Sequence, residues 1–270
     1  MRKLTALVAG MTLAMSALPA AAGVVITQKV HSTSGTNTRD SEQTISVQGN
    51  KEKVVRERNT IITDLDKGMI YVLQPDAKTY FEMEFPPKGP MAAMMAASQD
   101  AAMNFKKAGS TREIAGFKCT DYDGGGHMMA GDYTVKECFS TTAPGAEEFA
   151  AFEKNMADKL TSSGTSAGNG KVPGGVPLAM DATTKMGTAS LPPGLPPEQA
   201  AKIRDMIAKR PPVVVNQMVE KIESKKLAGS DFAVPSDYTK KELPAPGSMM
   251  MKPGAMKMPP PAGAPSPATH

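Results

Sequence analysis

The sequence predicts a mostly β, exported domain stapled by a disulfide, and three observations predict it. Short runs alternate apolar and polar side chains, and each ends in a turn marked by Gly, Pro, Asn or Asp. A basic start and a brief apolar run lead into Ala20-Ala21-Ala22. The two cysteines, Cys119 and Cys138, flank one glycine-rich stretch, so a single hairpin can join them.

The N-terminus comes first in that argument. Arg2 and Lys3 precede an uncharged run from residue 4 to residue 18, and Pro19 introduces an A-x-A site with cleavage expected after Ala22. This is the three-part layout of a secretory signal peptide, residues 1–22. A membrane anchor needs about 20 apolar residues, which this run does not reach, and no later run does either. The expected location is therefore the periplasm or the exterior, with no transmembrane segment after cleavage. The whole chain carries 31 basic and 27 acidic residues. Loss of Arg2 and Lys3 leaves it near neutral, a balance that favours neither nucleic acid nor an anionic membrane as partner. The 21 methionines and the absence of tryptophan are the compositional outliers.

Residues 23–32 form the first predicted strand, Val24, Ile26 and Val30 alternating with Thr27, Lys29 and His31. Residues 34–40 read as a polar turn. Residues 41–48 resume the period with Ile45 and Val47 on one face, and Gly49-Asn50 is a two-residue turn signal before residues 51–58 return. Residues 60–65 and 69–73 are joined by Asp66-Lys67-Gly68, and residues 74–77 turn the chain again. Residues 79–85 set Phe81, Met83 and Phe85 against Tyr80, Glu82 and Glu84. Together these make a meander with one apolar face.

After a proline-rich break, residues 91–107 are rich in Ala and Met and read as a helix. Two strands, residues 114–123 and 133–139, then flank the tip Gly124-Gly125-Gly126. A turn at Met128-Met129 sets Cys119 directly opposite Cys138. Directly opposed Cβ atoms lie about 4.5–5.5 Å apart, within disulfide reach. In an exported chain a bridge is favoured over a metal pair or two free thiols. Residues 143–160 form a clearer helix: Pro144 near its start, Glu147 and Glu148 in its first turn, and a stripe of Phe149, Phe152, Met156 and Leu160 that packs on the sheet.

Residues 161–175 are loop, residues 176–185 a strand, and residues 198–209 a short helix closed by Pro211-Pro212. Residues 213–227 are ambiguous. Their β-branched start favours a strand, yet Val214, Met218 and Ile222 also fit a helix. Residues 232–238 read as extended. From residue 243 onward Pro, Gly, Ala, Met and Lys dominate without period. The domain is therefore placed at 23–243 and a disordered tail at 244–270.

Four segments carry a resemblance: K-G-M-I-Y-V-L-Q-P-D-A-K-T-Y, I-A-G-F-K-C-T-D-Y, G-V-P-L and F-A-V-P-S-D-Y, in that order. The chain resembles the exported bacterial proteins of the domain of unknown function 4412 (DUF4412) over residues 24–243, with an inserted helix at 198–209. The matching positions are Tyr71, Leu73, Pro75, Lys78 and Tyr80; then Ile114, Gly116, Phe117, Cys119 and Tyr122; then Phe232, Val234, Pro235 and Tyr238. The closing motif departs from the family pattern in having Ser236-Asp237 where glycine usually precedes the tyrosine. The resemblance implies a fold similar to the periplasmic lipoprotein carriers (LolA-like): mainly β with helices, a curved antiparallel half-barrel with helices on its concave side around an apolar cavity. It brings no catalytic residues.

The residues themselves offer little chemistry. His31, His127 and His270 sit in no metalloprotease or serine-hydrolase motif, so no enzyme is expected. Asp121, Asp123 and Asp132 fall at positions 1, 3 and 12 of a calcium-loop spacing, but Gly125 occupies position 5 and no glutamate closes it. His127, Met128 and Met129, with the tail's Met249, Met250 and Met251, form a thioether and imidazole set that suits Cu(I). Tyr71, Tyr80, Phe81 and Phe85 either line a cavity or belong to the core. The leading expectation is an envelope protein without a cofactor that binds an apolar or amphiphilic ligand, such as a lipid, or a segment of an envelope protein. Cu(I) binding is the alternative, and a structural envelope protein the third reading. The ligand-lining residues are not identifiable at this level.

Overall fold

The computed structural model describes residues 23–89, 105–128, 131–163, 173–187 and 196–242. Strands β1 (Gly23–Ser34), β2 (Asn37–Gln48), β3 (Lys51–Arg56), β4 (Thr60–Asp64), β5 (Met69–Gln74) and β6 (Thr79–Glu84) form the expected meander. They are followed by β7 (Lys106–Ile114), β8 (Phe117–Met128), β9 (Gly131–Ser140), helix α1 (Ala146–Ser162), β10 (Val176–Met186), helix α2 (Pro197–Ala208), β11 (Val213–Lys225) and β12 (Thr239–Lys240). All twelve strands belong to one open, curved sheet in the order β12-β6-β5-β4-β3-β2-β1-β11-β10-β9-β8-β7. Every neighbouring pair is antiparallel except the short β12–β6 pair.

Several local expectations are corrected. The first turn is only Gly35-Thr36, because β1 and β2 pair continuously from Val24↔Val47 to Ser34↔Asn37. The ambiguous 213–227 stretch is a strand. Its β-branched start wins because β11 fills the slot between β1 and β10 and hydrogen-bonds to both. Lys106 and Lys107, expected at the end of a helix, open β7; the rest of that expected helix, 91–104, lies outside the described residues. Residues 232–238 are extended only in part: Ala233 is extended, but residues 236 and 237 form a turn. A 3-10 turn, Gly229–Phe232, starts the segment.

Gly124, Gly125 and Gly126 are not a tip but part of β8, paired with Val135, Thr134 and Tyr133. The glycines let neighbouring groups come close. A Cβ on Gly125 would stand 2.8 Å from the Tyr133 carbonyl oxygen, and one on Gly124 would stand 3.1 Å from the Phe105 ring. The β8–β9 register is Asp121↔Cys138 and Thr120↔Phe139, two residues away from the expected pairing. The pairing therefore runs to Met128↔Gly131, and Cys119 meets Cys138 diagonally, Cα to Cα 5.3 Å, in a disulfide. A two-residue shift preserves side-chain parity, so both sulfurs still share a face.

Helix α1 packs across β1, β2 and β10. Its Phe149 and Phe152 are buried, and Met156 and Leu160 are partly buried against the core of Val24, Ile26, Val47, Val176, Leu178 and Val219. The contact is close enough that Gly145 caps the helix in the left-handed region (φ 73°), where a Cβ would stand 2.3 Å from the Val24 Cβ. Asn155 Nδ2 donates to Asn50 Oδ1 at 2.8 Å, and the Gly49 amide donates to Glu148, tying the helix to the β2–β3 turn.

A second, smaller core forms around Ile62 and Leu73, where Leu227 and Phe232 are buried and Tyr71, Tyr80, Val234 and Tyr238 pack in. Val25 belongs to it while Val24 and Ile26 belong to the helix-bearing core, so by strand alternation it lies on the opposite face of the sheet. Lys78 is left-handed (φ 46°), and its Nζ donates to Asp237 Oδ2 at 2.8 Å. The Lys78 carbonyl accepts from the Thr239 amide, and that of Tyr80 from the Lys241 amide. The first and last motifs of the family resemblance are thus two halves of one clasp.

The β7–β8 turn suggests a stability test. Its two central residues, Ala115 (φ 51°) and Gly116 (φ 82°), both occupy positive φ, as a type I′ hairpin turn requires. A Cβ in that region costs about 1 kcal/mol. Ala115→Gly is therefore expected to raise unfolding free energy by up to about 1 kcal/mol, read by urea denaturation; a lower value would show that Ala115 makes compensating contacts.

Candidate binding groove on the helix-bearing face

The helix-bearing face changes character along its strands. On β1 it presents Val24 and Ile26, then Gln28, Val30 and Ser32. On β2 it presents Val47 and Ile45, then Gln43, Ser41 and Arg39, and on β3 Glu52 and Val54, then Arg56. The apolar half lies beneath α1. The polar half opens as a groove of about 360 Å³ whose walls include Arg39, Arg56, Arg58, Glu57 and Asn59, with Gln217 of β11 joining from the other side. Gln28 and Gln43 are buried, and each is satisfied: Gln28 Nε2 donates to Gln217 Oε1 at 3.2 Å, and Arg56 Nε donates to Gln43 Oε1 at 3.1 Å. Arg39 is paired with Glu57. The Asn59 Oδ1 is buried without a hydrogen-bond partner among the described residues.

Three half-buried carboxyls lie at the helix–sheet junction. Burial pushes Glu52 up to about 7, with the Glu153 charge adding to it and Arg56 opposing. Burial, again with Glu153, pushes Glu137 up to about 7. Glu153 of α1 is itself raised by burial.

The sites expected from sequence are placed differently. Tyr71 and Tyr80 pack in the smaller core and Phe85 in the larger one, so the aromatic set lines no common cavity. Asp121 is buried and takes hydrogen bonds from Ser110 Oγ (2.8 Å) and Arg112 Nε (2.9 Å), while Asp123 faces Lys136 at 3.8 Å, so the calcium spacing is not a converging ligand set. His127 and Met128 are the last two residues of β8, opposite Asp132 and Gly131. Met129, Met249, Met250 and Met251 lie outside the described residues, as do the segments expected to be a signal peptide and a tail. Among the described residues, no group of three or more His, Cys, Asp and Glu side chains is placed to hold a metal. No described helix is long and apolar enough to cross a membrane.

One constellation escaped sequence reasoning. His31 Nδ1 lies 2.6 Å from Asp40 Oδ1, and its Nε2 lies 3.4 Å from Thr33 Oγ1. In outline this is an acid–base–nucleophile series. It stands on an open strand surface, His31 46% and Asp40 81% exposed, and the neighbouring backbone is engaged in both flanking ladders. No free pair of amides is left there to stabilise an oxyanion, so the trio is a cross-strand hydrogen-bonded pair with a hydroxyl beside it. Strand parity together with the β1–β2 register would have found it.

Residues 26–161 match the domain of unknown function DUF4412. The chain belongs to the DUF4412 family. The match covers the meander, the disulfide hairpin and α1, whereas the G-V-P-L and F-A-V-P-S-D-Y segments lie beyond it. No curated protein matches the sequence. Among solved structures, PNGF-II is similar at 10% identity and a TM-score of 0.39, covering 83% of this chain and 32% of that one, so this DUF4412 chain spans about a third of PNGF-II. A LolA superfamily protein from Nitrosomonas europaea is similar at 7% identity, TM-score 0.29, covering 80% and 91% of the two chains. A DUF1329 family protein from Desulfovibrio piger is similar at 6% identity, TM-score 0.32, covering 80% and 91%. Likeness at this level carries no functional argument.

Proposed function

We propose that this DUF4412 protein is a non-enzymatic binding protein of the cell envelope, periplasmic or secreted, that holds an apolar or amphiphilic ligand or a partner segment on the helix-bearing face of its sheet. One observation carries the reading: beyond α1 the helix-bearing face opens as a groove whose walls set Val30 beside Arg39, Arg56 and Arg58. A groove that sets an apolar side chain beside cationic ones matches a molecule with one apolar and one polar end. The Cys119–Cys138 bridge fits an oxidising compartment.

Native mass spectrometry of the protein purified from its own envelope tests this. A co-purified amphiphile, lost on organic extraction and restored by adding the extract back, is the expected result. A preparation that carries no adduct and binds none from the extract would overturn the proposal.

A further inference from the structure

We infer that the groove selects an anionic headgroup, a carboxylate or a phosphate, through Arg56 and Arg58. The inference rests on the amphiphile reading and adds the sign of the ligand's charge. It starts from a census of the charged groups that line the groove: Arg39, Arg56 and Arg58 against Glu42 and Glu57. Arg39 and Glu57 neutralise one another. Glu42 stands opposite Lys29 in the β1–β2 pair and remains one carboxylate at the groove rim, Lys29 being paired with Glu220.

Two guanidinium groups remain. Arg56 gives its Nε to the neutral oxygen of Gln43, and neither of its terminal nitrogens has a partner among the described residues. Arg58 has no hydrogen bond or ion pair among the described residues. A guanidinium stays charged at any physiological pH and offers a planar fork of donors that matches a carboxylate or phosphate. Asn59, between Arg58 and the start of β4, adds an amide whose buried oxygen has no partner among the described residues. Native proteins rarely leave such a group unpaired, and a bound hydroxyl or bridging water completes it.

Position supports the same conclusion. Ile45, packed at the helix, and Ser41, in the groove, are four residues apart on β2. That is about 13 Å along a strand; α1 covers the floor at Ile45, and Val30, opposite Ser41 in the groove wall, is the apolar surface that a ligand's stem meets beside the arginines. A cationic head would face Arg56 and Arg58, which act on Glu52 and Glu57 through space but have no carboxylate at ion-pair distance among the described residues.

The test uses displacement of a fluorescent amphiphile by three probes of equal chain length: a fatty acid, a lysophosphatidylglycerol and a monoacylglycerol, each below its micelle concentration. At least one anionic probe is expected to bind about tenfold or more tightly than the neutral one, the range of a charge-assisted hydrogen bond. The tighter of the two anionic probes tells carboxylate from phosphate. Arg56→Gln/Arg58→Gln is expected to bring the anionic affinities down to that of the monoacylglycerol. Equal affinity for all three probes, or discrimination that survives in the double variant, overturns the anion assignment alone. Failure of all three to bind overturns the amphiphile reading as well.

Discussion

Reduced protein is expected to unfold at a free energy about 3 kcal/mol below the oxidised protein, because the Cys119–Cys138 bridge closes a loop of 19 residues in the unfolded chain. Both cysteines are buried, at 3% and 0% exposure, so the thiols of the reduced protein stay in a packed site and the comparison isolates the cross-link. Denaturation with and without reductant is therefore cleaner than Cys119→Ser, which also buries a hydroxyl. Against a typical domain stability of about 5–15 kcal/mol the loss is large. It should concentrate in the hairpin, where the glycines of β8 make ordering costly. Hydrogen exchange on β7, β8 and β9 should quicken on reduction, while amides of β4 and β5 change little. Equal stability in the two redox states would contradict the expectation, and so would stoichiometric thiol labelling of denatured, unreduced protein.

Stability is expected to fall as pH rises from 5 to 8. Glu52 and Glu137 titrate near 7 in the folded protein, against an ordinary value of 4.5. Between those values the folded chain holds protons that the unfolded chain has released. Their contribution is therefore fully present below about pH 4.5 and is lost as pH passes through 7. Each carboxyl accounts for at most about 3 kcal/mol at alkaline pH. Glu52 faces Glu153 from α1, Arg56 on its own strand, Val47 from β2 and Thr63 from β4; Glu137 faces Glu153, Tyr122 from β8 and Met180 from β10.

Glu153, raised by burial and facing both, adds to the fall; three other carboxyls are shifted the opposite way. The hydrogen bond from Arg39 lowers Glu57, and that from Lys78 lowers Asp237. Burial pushes Asp64 up, but Lys51 and the Lys67 amide outweigh it and leave Asp64 lowered too. All three titrate on the acid side. Glu52→Gln and Glu137→Gln should each raise stability at pH 8 and, together, flatten the curve. A wild-type profile that is level or rising between pH 5 and 8 would refute the assignment.

Local chemistry alone determined much of this protein. The turns at Gly49-Asn50, at Asp66 to Gly68 and at Gln74 to Ala77 stand where short-range signals put them, because turn residues act on their own backbone. The stripe of α1 was legible for the same reason: helical period is a local property, and Phe149, Phe152, Met156 and Leu160 pack as the period requires. The cysteine pairing was legible despite a register error, since a shift of two residues leaves parity intact.

What the tertiary structure decided is everything that depends on distant partners. Val213 to Lys225 is a strand because β1, some 190 positions earlier in the sequence, pairs with it from Gly23↔Lys225 to Ser34↔Val213. That pairing makes one twelve-stranded sheet out of a meander and a hairpin. The groove draws on β1, β2, β3 and β11 at once, and the carboxyl trio on β3, β9 and α1. No window of sequence contains such a set. A site of this kind exists only after the entropy of closing long loops has been offset by burial, and burial is a property of the assembled sheet.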